Sequence, residues 1–165
     1  MNFLARSARA VRPVRMGPGS RIRSYATEAA AAGLRLTFAV PHQTIYKDVS
    51  VAQVNIAAVS GDMGILASHV PSIEQLRPGV VEVIEGAATK KFFVSGGFAT
   101  MNPDSTLNIN AVEAFPVEDF SAETIRANLA EAQRLSNAAA TEEEKLAAKV
   151  EVEVLESLQA AVLAK

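Results

Sequence analysis

The chain contains no cysteine. That excludes a disulfide scaffold, a thiol nucleophile, and zinc or iron–sulfur sites ligated through sulfur. Tryptophan is also absent, and aromatic residues make up 5% of the chain. There are two histidines, His42 and His69, and neither has companions at ligand spacing, so the sequence offers no multi-histidine metal centre. No run approaches the roughly 18 apolar residues of a membrane-spanning helix. Two further absences are local. Residues 1–25 hold no acid, and residues 119–165 hold no glycine or proline.

The first local absence points to targeting. Arg6, Arg9, Arg12, Arg15, Arg21 and Arg23 fall in an acid-free, hydroxyl-bearing segment, the composition of a mitochondrial transit peptide over residues 1–25. "RSYAT" sets Arg23 three positions and Tyr25 one position before a cut ahead of Ala26. The alternative is a disordered basic arm for nucleic acid. Without the segment, ten basic residues face eighteen acids, a net charge of −8 over residues 26–165. Such an acidic chain is a poor partner for phosphate backbones, so no nucleic-acid partner is expected.

Residues 26–33, "ATEAAAAG", read as a linker. From Leu34 the apolar period is two: Leu34, Leu36, Phe38 and Val40 alternate with Arg35, Thr37 and Ala39, and Pro41 ends the strand. After a break at His42–Gln43, "DVSVAQVNIAAVS" reads as a second strand region that stops at Gly61. Residues 61–79, "GDMGILASHVPSIEQLRPG", read as a glycine- and proline-shaped loop. The Val- and Phe-rich runs that follow are cut by "EGAA", "SGG" and "NPDS". Short strands with turns at about ten-residue spacing predict an antiparallel sandwich or barrel, here over residues 34–118.

The second local absence marks a helical region, residues 119–165. Ile125, Leu129 and Ala132 share one helical face. Thr141-Glu142-Glu143-Glu144 has the form of a capping box, with acids at the positive end of the helix dipole. Leu146, Val150, Val154 and Leu158 recur every four residues, and Leu155 and Val162 widen the stripe. The short link "SNAAA" predicts two antiparallel helices. Two such Ala-rich helices bury little by themselves. Their stripe needs the sandwich, a partner, or both.

Catalytic chemistry finds little footing. Ser95, His69 and Asp62 make a triad on paper, but "FVSGG" lacks the glycine that a nucleophile elbow places two residues before the serine. Neither "GDMG" nor "SGGF" is a phosphate-binding loop, because no Gly-Lys-Ser/Thr follows. Gly96 and Gly97 read instead as a strand reversal or a close backbone approach. No cofactor is expected. What is left is a docking module.

The spacing of several short motifs carries a resemblance. Gly61, Gly64-Ile65-Leu66, His69-Val70-Pro71, Arg77-Pro78-Gly79 and Phe93-Val94-Ser95-Gly96-Gly97-Phe98 together resemble the delta/epsilon family of small central-stalk subunits of F-type ATP synthases. The likeness runs from about residue 34 to the C-terminus. The transit segment selects the mitochondrial branch, called delta there and epsilon in bacteria and chloroplasts. Ala67 replaces a proline common in bacterial members, as the mitochondrial branch tolerates. The resemblance implies a β-sandwich of about ten strands followed by a C-terminal α-helical hairpin. It implies a non-catalytic rotor subunit that links the gamma subunit and the small mitochondrial epsilon subunit to the ring of c subunits, peripheral to the inner membrane on its matrix side. It implies that Asp62 and His69 face the polar loops of the c-ring. Gly61, Gly64, Pro71, Pro78, Gly79, Gly96 and Gly97 would shape the loops there, and Pro71 and Pro78 would stiffen the segment by fixing φ. Some bacterial relatives bind ATP through Ile/Leu-Asp-x-x-Arg-Ala. Here Ala122-Glu123-Thr124-Ile125-Arg126-Ala127 keeps only the Arg-Ala end, so no tight nucleotide binding is expected. Two other readings stay open: an unrelated matrix adaptor, and a nucleotide-responsive regulator.

Overall fold

The computed structural model describes residues 33–138 and 141–163. The expected transit peptide, and the linker up to residue 32, lie outside the described residues. Ten strands come first: β1 Leu34–Val40, β2 Gln43–Val51, β3 Gln53–Ala58, β4 Gly61–Ile65, β5 Ser72–Leu76, β6 Gly79–Glu85, β7 Ala88–Val94, β8 Gly97–Met101, β9 Thr106–Ala111 and β10 Ala114–Pro116. A 3-10 turn at Val117–Asp119 leads to helices α1 Ala122–Ala138 and α2 Glu142–Leu163. A β-sandwich followed by a helical pair is therefore the fold.

The strands run in the order β10-β7-β6-β3-β5-β8-β9-β1-β2, and β4 pairs with β3. Between β3 and β5 the ladder thins to one pair, Ala58 opposite Leu76. There the sheet folds over into two layers. The alternation seen from Leu34 becomes inside and outside: Leu34, Leu36 and Phe38 are fully buried, while Arg35 is exposed. Val54, Ile56, Val81, Val83, Leu107 and Ile109 complete the seam between the layers. The Phe38 ring meets Phe92 edge-on at 5.6 Å, and Tyr46 meets Phe92 at 6.1 Å, so three aromatics tie β1 and β2 to β7.

Three features depart from the sequence reading. "DVSVAQVNIAAVS" is not one strand region but parts of two strands, separated at Ala52. β2 pairs with β1 and β3 with β6, so the chain changes layers there. Asp48, at φ 53°, lies beside a register shift that twists β2 before the crossing. The sandwich is also not wholly antiparallel, because β1 and β9 pair in parallel, Arg35 opposite Thr106 through Ala39 opposite Asn110. Finally, residues 61–79 are not one loop but hold β4 and β5. Pairing with β3 and β8 outweighs the glycines and prolines, which fall mostly at strand starts.

The capping box forms. The Glu144 N–H donates to Thr141 Oγ1, and the Thr141 N–H to Glu144 Oε2, each at 3.2 Å. The α2 stripe is unevenly used. Leu146 and Val150 are 64% and 54% exposed, Val154 is partly buried, and Leu158 is 6% exposed. Only the C-terminal half of α2 seats on the sandwich. There Leu158 joins Phe93, Val117 and Ile125 in a second, smaller core. The Ser157 hydroxyl donates to the Pro78 carbonyl at 2.7 Å, tying helix to strand connection.

Candidate partner-docking site

β4 pairs with β3 alone among the described strands, so its outer edge is open. Five residues at strand rise make this flank about 13 Å long. Gly61 opens β4, and Asp62 follows opposite Ala57. The Ala57 carbonyl accepts the Arg77 N–H at 3.0 Å, which brings Arg77 beside Asp62. Arg77 Nη2 then donates to Asp62 Oδ1 at 2.6 Å. The side chains are 46% and 74% exposed. An ion pair this open contributes about 0–1 kcal/mol to stability, and its main effect is to orient the carboxylate.

Past the other end of β4 lies the loop 66–71. It holds a tight turn, with the His69 N–H donating to the Leu66 carbonyl at 3.2 Å. His69 Nδ1 lies 2.9 Å from the Val70 carbonyl. A carbonyl only accepts, so Nδ1 carries the proton of that contact and Nε2 is the ring nitrogen the loop does not use. Leu66 and Val70 are 51% and 74% exposed. Asp62 and His69 thus flank β4 at its two ends rather than sharing one loop. The triad on paper is not assembled: Asp62 is held by Arg77, His69 bonds its own loop, and Ser95 lies between β7 and β8.

The remaining marked residues frame the strands. Gly64 lies within β4, Pro71 precedes β5, Pro78 precedes β6, Gly79 opens β6, and Gly96 precedes Gly97 at the start of β8. Gly97 has φ 146°, and a Cβ there would collide with the Asn110 carbonyl, so two backbones pass at contact distance. Gly64 lies over side chains: a Cβ would come within 2.8 Å of Gln53 Nε2. Beneath it Gln53 donates to Asn55, Asn55 Nδ2 donates to Glu82 Oε2 at 2.8 Å, and Lys91 reaches Glu82 at 3.3 Å. The Asn55 hydrogen bond, with help from Lys91, holds the Glu82 carboxyl below the usual carboxylate range against the opposing effect of burial.

Two grooves adjoin this flank. One, of about 520 Å³, lies between β4 and the end of α2 and is bounded by Asp62, Arg77, Glu82 and Ser157. The other, of about 620 Å³, is more apolar. It runs between the sandwich end and α2, past Val59, Phe98, Val112, Val150 and Val154. The sequence reading missed Arg77 as the partner of Asp62. Arg77 was visible in "RPG", but fifteen residues separate the pair and only the β3–β5 crossing joins them. Among the described residues no helix is long and apolar enough to cross a membrane.

Comparisons with known proteins agree with this architecture. Residues 33–116 match the family model "ATP synthase, Delta/Epsilon chain, beta-sandwich domain". Residues 120–160 match "Fungal epsilon subunit of F1F0-ATP synthase C-terminal domain". The chain is 54% identical over 158 residues to a protein of Neurospora crassa named "ATP synthase subunit delta, mitochondrial", covering 95% of each. It is 59% identical over 141 residues to the protein of that name from Kluyveromyces lactis, covering 85% of this chain and 87% of the relative. A chain in the cryo-EM structure of the Euglena gracilis mitochondrial ATP synthase, OSCP/F1/c-ring, superposes with a TM-score of 0.77. It shares 31% identity, and the match covers 92% of this chain and 99% of that one.

Proposed function

The chain belongs to the ATP synthase delta/epsilon family, and on that premise we propose that it is a non-catalytic rotor subunit of mitochondrial ATP synthase. Its place is the central stalk, where it links the gamma and small epsilon subunits to the c-ring and passes torque between proton flow and ATP synthesis. It lies on the matrix side of the inner membrane, peripheral through the complex. The observation that carries this reading is identity above half along nearly the whole chain, sandwich and hairpin together, to mitochondrial delta subunits.

The β4 flank is the surface we assign to the ring. Asp62 presents a carboxylate oriented by Arg77, and His69 presents Nε2, so a polar loop laid along the strand meets an acid at one end and an imidazole nitrogen at the other. Exposed Leu66 and Val70 add apolar contact beside His69. A sandwich closed by a packed seam resists shear, as a part under torque requires. The exposed Phe98, Val112 and Val150 of the apolar groove are available to the other stalk subunits.

The test is a strain whose only copy carries Asp62→Ala and His69→Ala. Mild-detergent extracts are resolved on native gels, and ring-bound subunit is quantified by mass spectrometry. The expected result is loss of ring attachment with little change in thermal stability, since Asp62 is open and neither side chain holds the core. Normal attachment, or a collapse of stability with normal attachment of the folded fraction, would overturn the assignment.

A further inference from the structure

Two serines hold left-handed backbone conformations, Ser68 at φ 64° and Ser105 at φ 61°. That region is costly for residues with a Cβ and is ordinarily taken by glycine or asparagine. Ser68 lies in the 66–71 loop, and Ser105 ends the β8–β9 turn. They meet: the Ser68 N–H donates to Ser105 Oγ at 3.0 Å. Ser105 is 3% exposed and is the only buried Ser, Thr, Asn, Gln or charged residue among the described residues.

The turn that carries Ser105 is itself anchored. Its carbonyl accepts the Arg35 N–H of β1 at 3.0 Å, and the Asn102 N–H donates to the Thr106 carbonyl at 2.9 Å. The Thr106 N–H donates to Asp104 Oδ1 at 3.2 Å. The hydroxyl is therefore fixed to the sandwich core through β1. The loop it holds has exposed side chains at Leu66 and Val70, and its other backbone hydrogen bond, from His69 to Leu66, is internal. Nothing in that internal turn sets its position on the sandwich. The paired strands hold its two ends at Ile65 and Ser72, and between them the Ser105 hydroxyl ties the loop to the turn before β9.

We propose that Ser105 is a positioning residue, which sets the loop carrying Leu66, His69 and Val70 in the pose that engages the ring. This rests on the reading of that loop as a ring contact. It explains why serine, rather than glycine, occupies position 105: glycine would take the same backbone with less strain but could not accept the Ser68 N–H. A flexible loop would lose conformational freedom on docking, so fixing it beforehand strengthens attachment.

The experiment uses the assembled synthase carrying Ser105→Gly or, separately, Ser105→Ala. Hydrogen exchange by mass spectrometry is read at residues 67–70, with residues 36–38 of β1 as the internal control. Ring attachment is read on native gels. Loss of one hydrogen bond should speed exchange at 67–70 roughly tenfold, leave β1 unchanged, and release several-fold more subunit from the ring. Unchanged exchange at 67–70 would overturn the proposal. So would faster exchange with full attachment, or faster exchange that extends to β1 in both variants, which would make the turn merely structural. The Asp62→Ala/His69→Ala strain separates the two ideas. If it detaches and the Ser105 variants do not, only the positioning role falls; if none detaches, the ring contact falls with it.

Discussion

The sandwich and the hairpin are held by different physics. The sandwich seam is built from large side chains with no exposed area, such as Phe38, Leu36, Ile109 and Leu107 of one layer, packed against Val81 and Val83 of the other. The hairpin meets itself through alanines: Ala132 and Ala148 are the buried residues of the paired helices away from the sandwich, and Leu135 and Leu146 remain in solvent. Small side chains let helices approach closely but remove little apolar surface from water. At 22 residues, α2 is about 33 Å long, and only its C-terminal half reaches the small core around Leu158. The sandwich is a closed body. The hairpin depends on where it is seated, and its outer half keeps Leu135, Leu146 and Val150 exposed.

That contrast can be attacked directly. Phe38→Ala should cost about 3–5 kcal/mol, because the ring is fully buried and meets Phe92 edge-on. Denaturant unfolding of the purified full chain would register it as loss of the main transition. If it cost less than 1 kcal/mol, the sandwich would not be the dominant core. Leu158→Ala should cost about 2–3 kcal/mol, and the loss should fall on the hairpin. Limited proteolysis is expected to cut within 122–163 several times faster while the sandwich transition stays in place. If the sandwich melts along with the hairpin, the two are one cooperative unit and the comparison fails.

The smallest expected effect is electrostatic and confined to the sandwich. Glu82 is held below its ordinary 4.5 chiefly by the Asn55 hydrogen bond. A carboxyl with a depressed folded-state pKa adds stability above the unfolded value, and that part disappears as the pH falls through the folded one. Acid titration of stability should therefore show a loss beginning below about 4.5 that Asn55→Ala makes smaller. An identical acid profile in the variant would remove Asn55 as the cause.

The same contrast decides what could be read beforehand. The β1 alternation, the capping box and the α1 face from Ile125 to Ala132 are local patterns, and each is present in the fold. The second strand region and the 61–79 stretch were misread because composition is local and sheet pairing is not. "DVSVAQVNIAAVS" looks continuous until β2 and β3 are assigned to different layers. At the candidate site, Asp62 and His69 were marked from the sequence, yet their relation was not legible. Arg77, which bonds Asp62, and Ser105, which bonds Ser68 beside His69, lie fifteen and thirty-seven residues along the chain from their partners.

By itself, then, the sequence determined the order of a strand-rich region before a helical one, the cap that starts α2, and the family to which the chain belongs. Those depend on neighbours within a few residues and on motif order along one dimension. The folded structure alone decided the two-layer crossing at Ala52, the parallel β1–β9 pair, the half-seated α2 and the Ser68–Ser105 contact. The physical reason is that each of these is set by contacts between segments far apart in the chain, selected by which packing buries the most apolar surface while leaving buried backbone N–H groups partnered.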